Sequence, residues 1–135
     1  MTAKNASSPV RILFIDDVTE VLWTFSSAFA NAGVELVLHH HTSVDTDALL
    51  EEVRRVRPDV VLLDANLSHG VKGYDLPPLF EELDPVPRAI GFSTDASLAP
   101  LFLQNGAVGF VEKRMDDPLE SVRNVMDMIG LEMDQ

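Results

Sequence analysis

The sequence contains no cysteine, and basic residues are scarce in it. The absence of cysteine excludes disulfides, thiolate catalysis and cysteine-based zinc sites. Only 10 Lys and Arg residues stand against 22 Asp and Glu residues, which gives a formal net charge of −12 at pH 7. We therefore expect no nucleic-acid surface, because phosphate backbones are bound by clustered Lys and Arg.

Long apolar runs are also missing. No stretch approaches the roughly 20 residues needed to span a bilayer, and residues 1–8 lack the apolar segment of a signal peptide. We therefore expect no membrane contact and a cytoplasmic protein. We expect residues 1–8 to form a disordered N-terminal lead and residues 9–135 a single domain, since 135 residues of 46% hydrophobic content suffice for one core.

Five short apolar runs alternate along the chain with segments of helical spacing. The runs predict strands over residues 12–15, 34–38, 60–63, 89–93 and 108–112. Continuous apolar runs are typical of strands that are buried on both faces. Their alternation with five helices predicts an α/β fold, a doubly wound five-stranded parallel sheet with helices on both faces.

Capping residues indicate where several of the helices begin. Asp45 or Thr46 fits the cap of the second helix, and Asp75 fits the cap of the third. Asp117 is followed by a proline and, three positions on, by Glu120. This order predicts a capped start of the fifth helix with the Glu120 carboxylate reaching back to the cap.

Three carboxylates follow two of the predicted strands. Asp16 and Asp17 end the first run, and Asp64 ends the third. In open α/β sheets, ligands bind outside the carboxyl ends of the strands, so we expect these side chains to meet at one spot. Three neighbouring anions repel one another and favour a cation. Oxygen ligands in a partly open site indicate Mg²⁺, which keeps several waters and takes few protein carboxylates.

Polar residues also follow the last two strands. Ser93 and Thr94 follow the fourth strand, and Lys113 follows the fifth. Together with the acid pair after the first strand and the acid after the third, they resemble the receiver domain of two-component response regulators over residues 10–130. The resemblance implies a flavodoxin-like, CheY-like fold with strand order 2-1-3-4-5. It also implies a stand-alone signalling domain in a phosphorelay, not a turnover enzyme.

The resemblance assigns a role to each polar residue after a strand. Asp64 is the expected phosphoacceptor, a carboxylate nucleophile that forms an acyl phosphate. Asp16, Asp17 and Asp64 are the expected Mg²⁺ ligands, together with the backbone carbonyl of Asn66. Lys113 is expected to pair with a phosphoryl oxygen.

The same resemblance implies a conformational switch and protein partners. The Ser93 hydroxyl, with Thr94 as the alternative, is expected to move toward the phosphoryl group, and Phe110 is expected to turn inward. The expected partners are a sensor histidine kinase or phosphotransfer protein and a downstream protein target. A homodimer through the last helix and strand is a further expectation.

Two departures from the family pattern keep other functions open. Ser68 stands where a proline is usual after the acceptor, and Arg114 stands in place of the usual proline after Lys113. One alternative is a receiver-like interaction module that phosphorylation does not regulate. Another is a small Mg²⁺-dependent phosphohydrolase, although no Asp-x-Asp pair follows a predicted strand to supply both a nucleophile and a general acid.

The run His39-His40-His41 invites an interpretation as a metal site. Successive side chains of an extended segment point to opposite faces, so three adjacent histidines do not converge on one ion. We therefore interpret the run as a partly exposed strand end.

Overall fold

The computed structural model describes residues 9–133, so the disordered lead predicted for residues 1–8 lies outside the described residues. Its helices and strands alternate in the predicted order. The strands are β1 (Arg11–Asp16), β2 (Glu35–His40), β3 (Val60–Leu63), β4 (Arg88–Ser93) and β5 (Gly109–Glu112). The helices are α1 (Thr19–Phe29), α2 (Thr46–Val56), α3 (Pro77–Phe80), α4 (Ala99–Gln104) and α5 (Pro118–Met133).

The five strands form one parallel sheet of order β2-β1-β3-β4-β5, which confirms the predicted fold class. β1 lies between β2 and β3, and its Ile15 is in register with Leu63. The carboxyl ends of β1 and β3 are therefore direct neighbours. This is the switch point at which the chain order of the strands reverses, where doubly wound sheets bind their ligands.

Side chains on the two faces of the sheet pack into two separate apolar clusters. Leu13 and Ile15 lie in the cluster beneath α2, α3 and α4, whereas Ile12 and Phe14 lie in the cluster beneath α1 and α5. All four are fully buried. Because both faces are covered, the central strands carry apolar residues at every position, and this explains the continuous apolar runs of the sequence.

The start of α2 decides between the two predicted caps. Asp45 accepts hydrogen bonds from the backbone N–H groups of Asp47 and Ala48 through its Oδ1 atom, at 2.9 and 3.4 Å. The helix ends at Val56, and Arg57 follows in the left-handed region with a φ of 53°. Asp45, not Thr46, is therefore the cap.

Three local predictions were wrong. The second strand ends at His40, two residues beyond the predicted end at Leu38, because backbone pairing with β1 extends to the level of Asp16. The interpretation of the histidine run as a strand end holds for His39 and His40. The third helix has only four residues, and Asp75 does not cap it because this residue lies in a preceding 3₁₀ turn. Glu120 does not reach back to the cap of α5 but pairs with Arg114.

Other predictions about helices agree with the structure. The Oδ1 atom of Asp117 accepts a hydrogen bond from the N–H of Glu120 at 3.3 Å, as expected for the cap of α5. The fourth helix is short and follows a 3₁₀ turn over Ala96–Leu98. Within the described part of the chain, no helix has the length and hydropathy that crossing a membrane requires.

Candidate functional site

The three predicted carboxylates meet at the carboxyl edge of the sheet. Asp16 is the last residue of β1, Asp17 follows it, and Asp64 follows β3. The N–H of Asp64 donates to the carbonyl of Ile15 at 3.3 Å, which holds the two strand ends together. One carboxylate oxygen from each of the three acids lies within 4.8 Å of the other two.

Lys113 is the cation of this cluster. Its Nζ atom lies 2.6 Å from Oδ2 of Asp16 and 3.1 Å from Oδ1 of Asp64. The lysine is 5% exposed and Asp16 is fully buried, so this ion pair is shielded from water. The other oxygen of Asp16 accepts a hydrogen bond from the N–H of Val18 at 2.9 Å. Both oxygens of Asp16 are therefore engaged, and Asp16 anchors the lysine.

Asp64 is held on one side and open on the other. Its Oδ1 atom accepts from Lys113 and, at 2.9 Å, from the N–H of Ala65. The side chain remains 14% exposed. Burial raises the pKa of Asp64 above its ordinary value; the ammonium of Lys113 opposes this increase, and the charge of Asp16 adds to it. A raised pKa means that the charged form of Asp64 is costly here and favours a compensating cation.

The acidic cluster fits a hard divalent cation. Its three carboxylates face a single buried ammonium, so two negative charges remain without a partner in the cluster. Asp16 is buried, whereas Asp17 and Asp64 are half-buried. The carboxylates of Asp17 and Asp64 are therefore accessible to an ion that keeps bound waters. Mg²⁺ prefers oxygen ligands of this kind in a partly open site.

Ser93 is placed beside the lysine. It ends β4, is 3% exposed, and its carbonyl accepts a hydrogen bond from the N–H of Lys113 at 2.8 Å. Its hydroxyl accepts from the N–H of Asp95 at 3.2 Å. The alternative hydroxyl, on Thr94, is exposed. The structure therefore places Ser93, not Thr94, at the buried end of the strand.

Phe110 lies on the opposite side of β5 from the core beneath α5. Its half-buried ring packs against Phe102 of α4, with 5.7 Å between the ring centroids. Its strand partner is Gly91, where a Cβ atom would lie 2.5 Å from the Phe102 ring. The missing side chain at Gly91 thus makes room for the aromatic pair next to the site.

Comparison with known proteins identifies the family. The model of the response regulator receiver domain matches residues 12–122. This chain belongs to the response regulator receiver family. A protein-glutamate methylesterase/protein-glutamine glutaminase 1 of Anaeromyxobacter dehalogenans (strain 2CP-C) is 31% identical to this receiver over 106 residues. The match covers 76% of the receiver but only 29% of that relative, so the relative's activity is not assigned to this chain.

Solved structures share the fold of this receiver. The response regulator domain of Thermotoga maritima CheB has a TM-score of 0.75 at 20% identity, covering 94% of the receiver and 98% of that domain. A CheY-like receiver domain protein from Methanospirillum hungatei JF-1 has a TM-score of 0.69 at 25% identity, covering 93% and 99%. The family is one of signalling domains in two-component systems and not, in general, of turnover enzymes.

The loop after Asp64, residues 65–73, is closed without a proline. Asn66 and Lys72 form an antiparallel bridge, and the ammonium of Lys72 donates to Oδ1 of Asn66 at 2.7 Å. Between them, His69 has a φ of 62° and its Nε2 atom lies 2.9 Å from the carbonyl oxygen of Thr42. The two ends of the loop are therefore held together by hydrogen bonds, and His69 links the loop to the segment after β2.

The histidine run borders the site but does not converge, as the alternation of side chains predicted. His40 places its Nε2 atom 3.0 Å from the backbone carbonyl oxygen of Asp17, whereas the rings of His39 and His41 lie 5.9 Å apart. His41 is 2% exposed, and its Nε2 atom has no hydrogen-bond partner among the described residues. The run is thus a strand end with one buried histidine.

Sequence reasoning missed three residues that shape the site. Gly73 lies against the backbone of Asp64, and the ring centroid of Phe92 lies 5.7 Å from Nζ of Lys113. Ser121 of α5 hydrogen-bonds to the backbone on both sides of Lys113. The glycine in the loop after Asp64 was a usable signal, but no local pattern marks Phe92 or Ser121.

Proposed function

We propose that this receiver accepts a phosphoryl group on Asp64 from a phosphohistidine of a sensor kinase or phosphotransfer protein. The modification then changes its affinity for a downstream protein. The observation that carries the proposal is the shared contact of the Lys113 ammonium with buried Asp16 and half-buried Asp64. It presents one open carboxylate beside a fixed cation at the switch point of the sheet.

Asp64 acts as the nucleophile. Its Oδ1 atom is occupied by Lys113 and Ala65, so Oδ2 is the oxygen that attacks phosphorus. A bond forms between Oδ2 and phosphorus as the bond between phosphorus and the donor imidazole nitrogen breaks, and the imidazole leaves with the electron pair. Nothing but the phosphoryl group is transferred, so the chain has to supply position and charge.

The neighbouring side chains stabilise the transferred group. The Lys113 ammonium donates to one phosphoryl oxygen, and the Ser93 hydroxyl donates to another after leaving the N–H of Asp95. Asp17, Asp64 and the backbone carbonyl of Asn66 would hold Mg²⁺ directly, and Asp16 would do so through water. When bound, Mg²⁺ neutralises charge on the phosphoryl oxygens.

The readout begins at Ser93 and Phe110. Movement of the Ser93 hydroxyl toward the phosphoryl group removes its hydrogen bond to the segment before α4. Phe110 packs on Phe102 of that helix and therefore responds to the same movement. A bias of a few kcal/mol between two arrangements is enough for such a switch. The assembled carboxylates and lysine make an interaction module without phosphorylation the less favoured alternative.

Phosphorylation of the intact chain tests the proposal. The receiver is incubated with acetyl phosphate and Mg²⁺, and its mass is measured with and without a chelator. We expect one added phosphoryl group in the presence of Mg²⁺, none after chelation, and none in Asp64→Asn. Asp59→Asn is the matched control, because Asp59 lies at the opposite end of β3 and binds the N–H of Arg11. Equal modification of Asp64→Asn and the native chain would contradict the assignment.

A further inference from the structure

The hydroxyl of Ser121 joins the backbone on the two sides of Lys113. Ser121 lies in the first turns of α5 and is fully buried. Its Oγ atom accepts a hydrogen bond from the N–H of Arg114 at 2.8 Å and donates to the carbonyl of Glu112 at 2.9 Å. One side chain from a neighbouring helix thus holds the residue before the lysine and the residue after it.

A third hydrogen bond fixes the same stretch of backbone from the other side. The N–H of Lys113 donates to the carbonyl of Ser93 at 2.8 Å. The backbone from Glu112 to Arg114 is therefore held between β4 and α5. A lysine side chain is a flexible stem of four carbons, so the place of its ammonium depends on where its Cα atom is fixed.

We propose that Ser121 is a positioning residue for the Lys113 ammonium, a role that rests on the proposed function of Lys113 in phosphoryl transfer. The hydroxyl holds the β5–α5 connection so that Nζ reaches both Asp16 and Asp64. Ser121 itself touches neither carboxylate. It acts through the backbone that carries the lysine.

The chemistry of both partners fits this role. The hydroxyl has to donate and accept at the same time, which serine does and alanine does not. Without it, the carbonyl of Glu112 and the N–H of Arg114 lose this partner in a partly buried place. The hydrogen bond that the Ser121 hydroxyl accepts also needs a backbone N–H at position 114. Arg114 supplies this N–H, which a proline at the same position lacks.

The side chain of Arg114 does not take part in the contact with Ser121. Its guanidinium pairs with Asp116 at 3.1 Å and with Glu120 at 2.9 Å, both on the surface. Removing this side chain leaves the backbone N–H in place. Arg114→Ala therefore removes the ion pairs with Asp116 and Glu120 but keeps the hydrogen bond between the backbone of residue 114 and the Ser121 hydroxyl.

Three variants of the full chain test the proposal: Ser121→Ala, Arg114→Ala and Val125→Ala. Val125 is fully buried on the same helix, in the cluster beneath α1 and α5, and it controls for weaker packing of α5. The rate of phosphorylation by acetyl phosphate is measured under identical conditions. We expect Ser121→Ala to be slower by roughly 10- to 100-fold, the scale of a misplacement of about 1 Å. The two other variants should stay within about twofold.

Two spectroscopic measurements are independent of phosphorylation. The chain has only three lysines, Lys4, Lys72 and Lys113, so ¹³Cε labelling gives a signal that Lys113→Arg assigns. In Ser121→Ala this signal should move toward that of an exposed lysine, and it should stay in place in Val125→Ala. In the native chain, the N–H of Arg114 should exchange with solvent more slowly than the N–H of its exposed neighbour Met115.

The possible outcomes separate the two proposals. A native chain that is not phosphorylated, with the lysine signal shifted only in Ser121→Ala, overturns the proposed function and retains the positioning role. A phosphorylated native chain with an unchanged rate in Ser121→Ala overturns the positioning role alone. Equal slowing in Val125→Ala, or rapid exchange of the Arg114 N–H in the native chain, also overturns it.

Discussion

Gly73 lies so close to Asp64 that a Cβ atom at position 73 would be 1.8 Å from the backbone carbonyl oxygen of Asp64. The N–H of Gly73 also donates to the carbonyl of Ala65 at 2.8 Å. The end of the loop that follows Asp64 therefore packs directly on the backbone of Asp64. Any side chain at position 73 has to displace Asp64.

Gly73→Ala is expected to damage stability and cation binding together. The added methyl group meets backbone, which relaxes less readily than a side chain, so we expect a loss of roughly 2–3 kcal/mol in the free energy of unfolding. We also expect weaker Mg²⁺ binding in a calorimetric titration. Gly130→Ala is the control, because nothing beyond the adjoining backbone of α5 lies within 4 Å of its Cβ position. This variant should gain up to about 1 kcal/mol in the free energy of unfolding. Equal stability of the two variants would contradict this prediction.

Asp64→Asn is expected to stabilise the metal-free chain increasingly as pH rises. Burial raises the pKa of Asp64 above its ordinary value of 3.8, so the folded chain holds this proton more tightly than the unfolded chain. Between pH 3.8 and the raised pKa, the unfolded chain therefore binds fewer protons than the folded chain, and the free energy of unfolding decreases as pH rises. Asparagine stays neutral and avoids this loss.

The measurement is a series of urea unfolding curves of both chains across this pH range. The difference in the free energy of unfolding should grow in favour of Asp64→Asn as pH rises through the window and then level off. Adding Mg²⁺ should reduce the difference, because a ligand of the folded state stabilises it by mass action. A difference that does not vary with pH would show that burial of Asp64 is not the cause.

Lys113→Met is expected to be strongly destabilising at neutral pH. The substitution leaves the fully buried carboxylate of Asp16 without its ammonium. Removal of one partner of a buried ion pair typically costs about 3–5 kcal/mol. The matched control is Lys72→Met, which removes an exposed hydrogen bond from the loop after Asp64 and should cost less than about 1 kcal/mol. Chemical unfolding distinguishes the two, and similar losses would contradict a buried pair.

His41→Leu is expected to reduce the loss of stability that occurs as pH falls below 6.5. Burial lowers the pKa of His41 below its ordinary value of 6.5, although a hydrogen bond to the backbone of Ser43 and the charge of Asp17 oppose this. The unfolded chain therefore binds the proton more readily, and stability is lost as pH falls below 6.5. The variant lacks this group, so its midpoint of thermal unfolding should fall less steeply below that pH. An unchanged slope would count against burial of the imidazole.

Much of the fold could be predicted from local patterns. Residues 60–63 carry apolar side chains throughout because both faces of β3 are covered, and the strand occupies the residues that the sequence indicated. The cap of α2 was narrowed to Asp45 or Thr46, since capping is a property of a few neighbouring residues. Parallel strands also end at one edge, which is why the acids after β1 and β3 were expected to meet.

Elements governed by distant contacts were predicted less well. β2 continues into His39 and His40 because β1 offers backbone partners up to Asp16, a fact that lies outside the local pattern. α3 stops after four residues, although Leu79, Phe80 and Leu83 have the spacing of one face of a longer helix. These side chains still pack in the apolar cluster beneath α2, α3 and α4, although Leu83 lies beyond the end of the helix.

Local patterns in the sequence are enough to predict the parallel α/β fold and the residue types at the strand ends, because apolar runs and turn residues act locally. How those residues share their charges depends on contacts between distant parts of the chain. Lys113 and Asp16 are 97 positions apart, yet their contact buries one carboxylate and leaves Asp64 open. That difference depends on the distances between strand ends, and these are set by the strand order, the packing of Gly73 and the hydrogen bonds of Ser121.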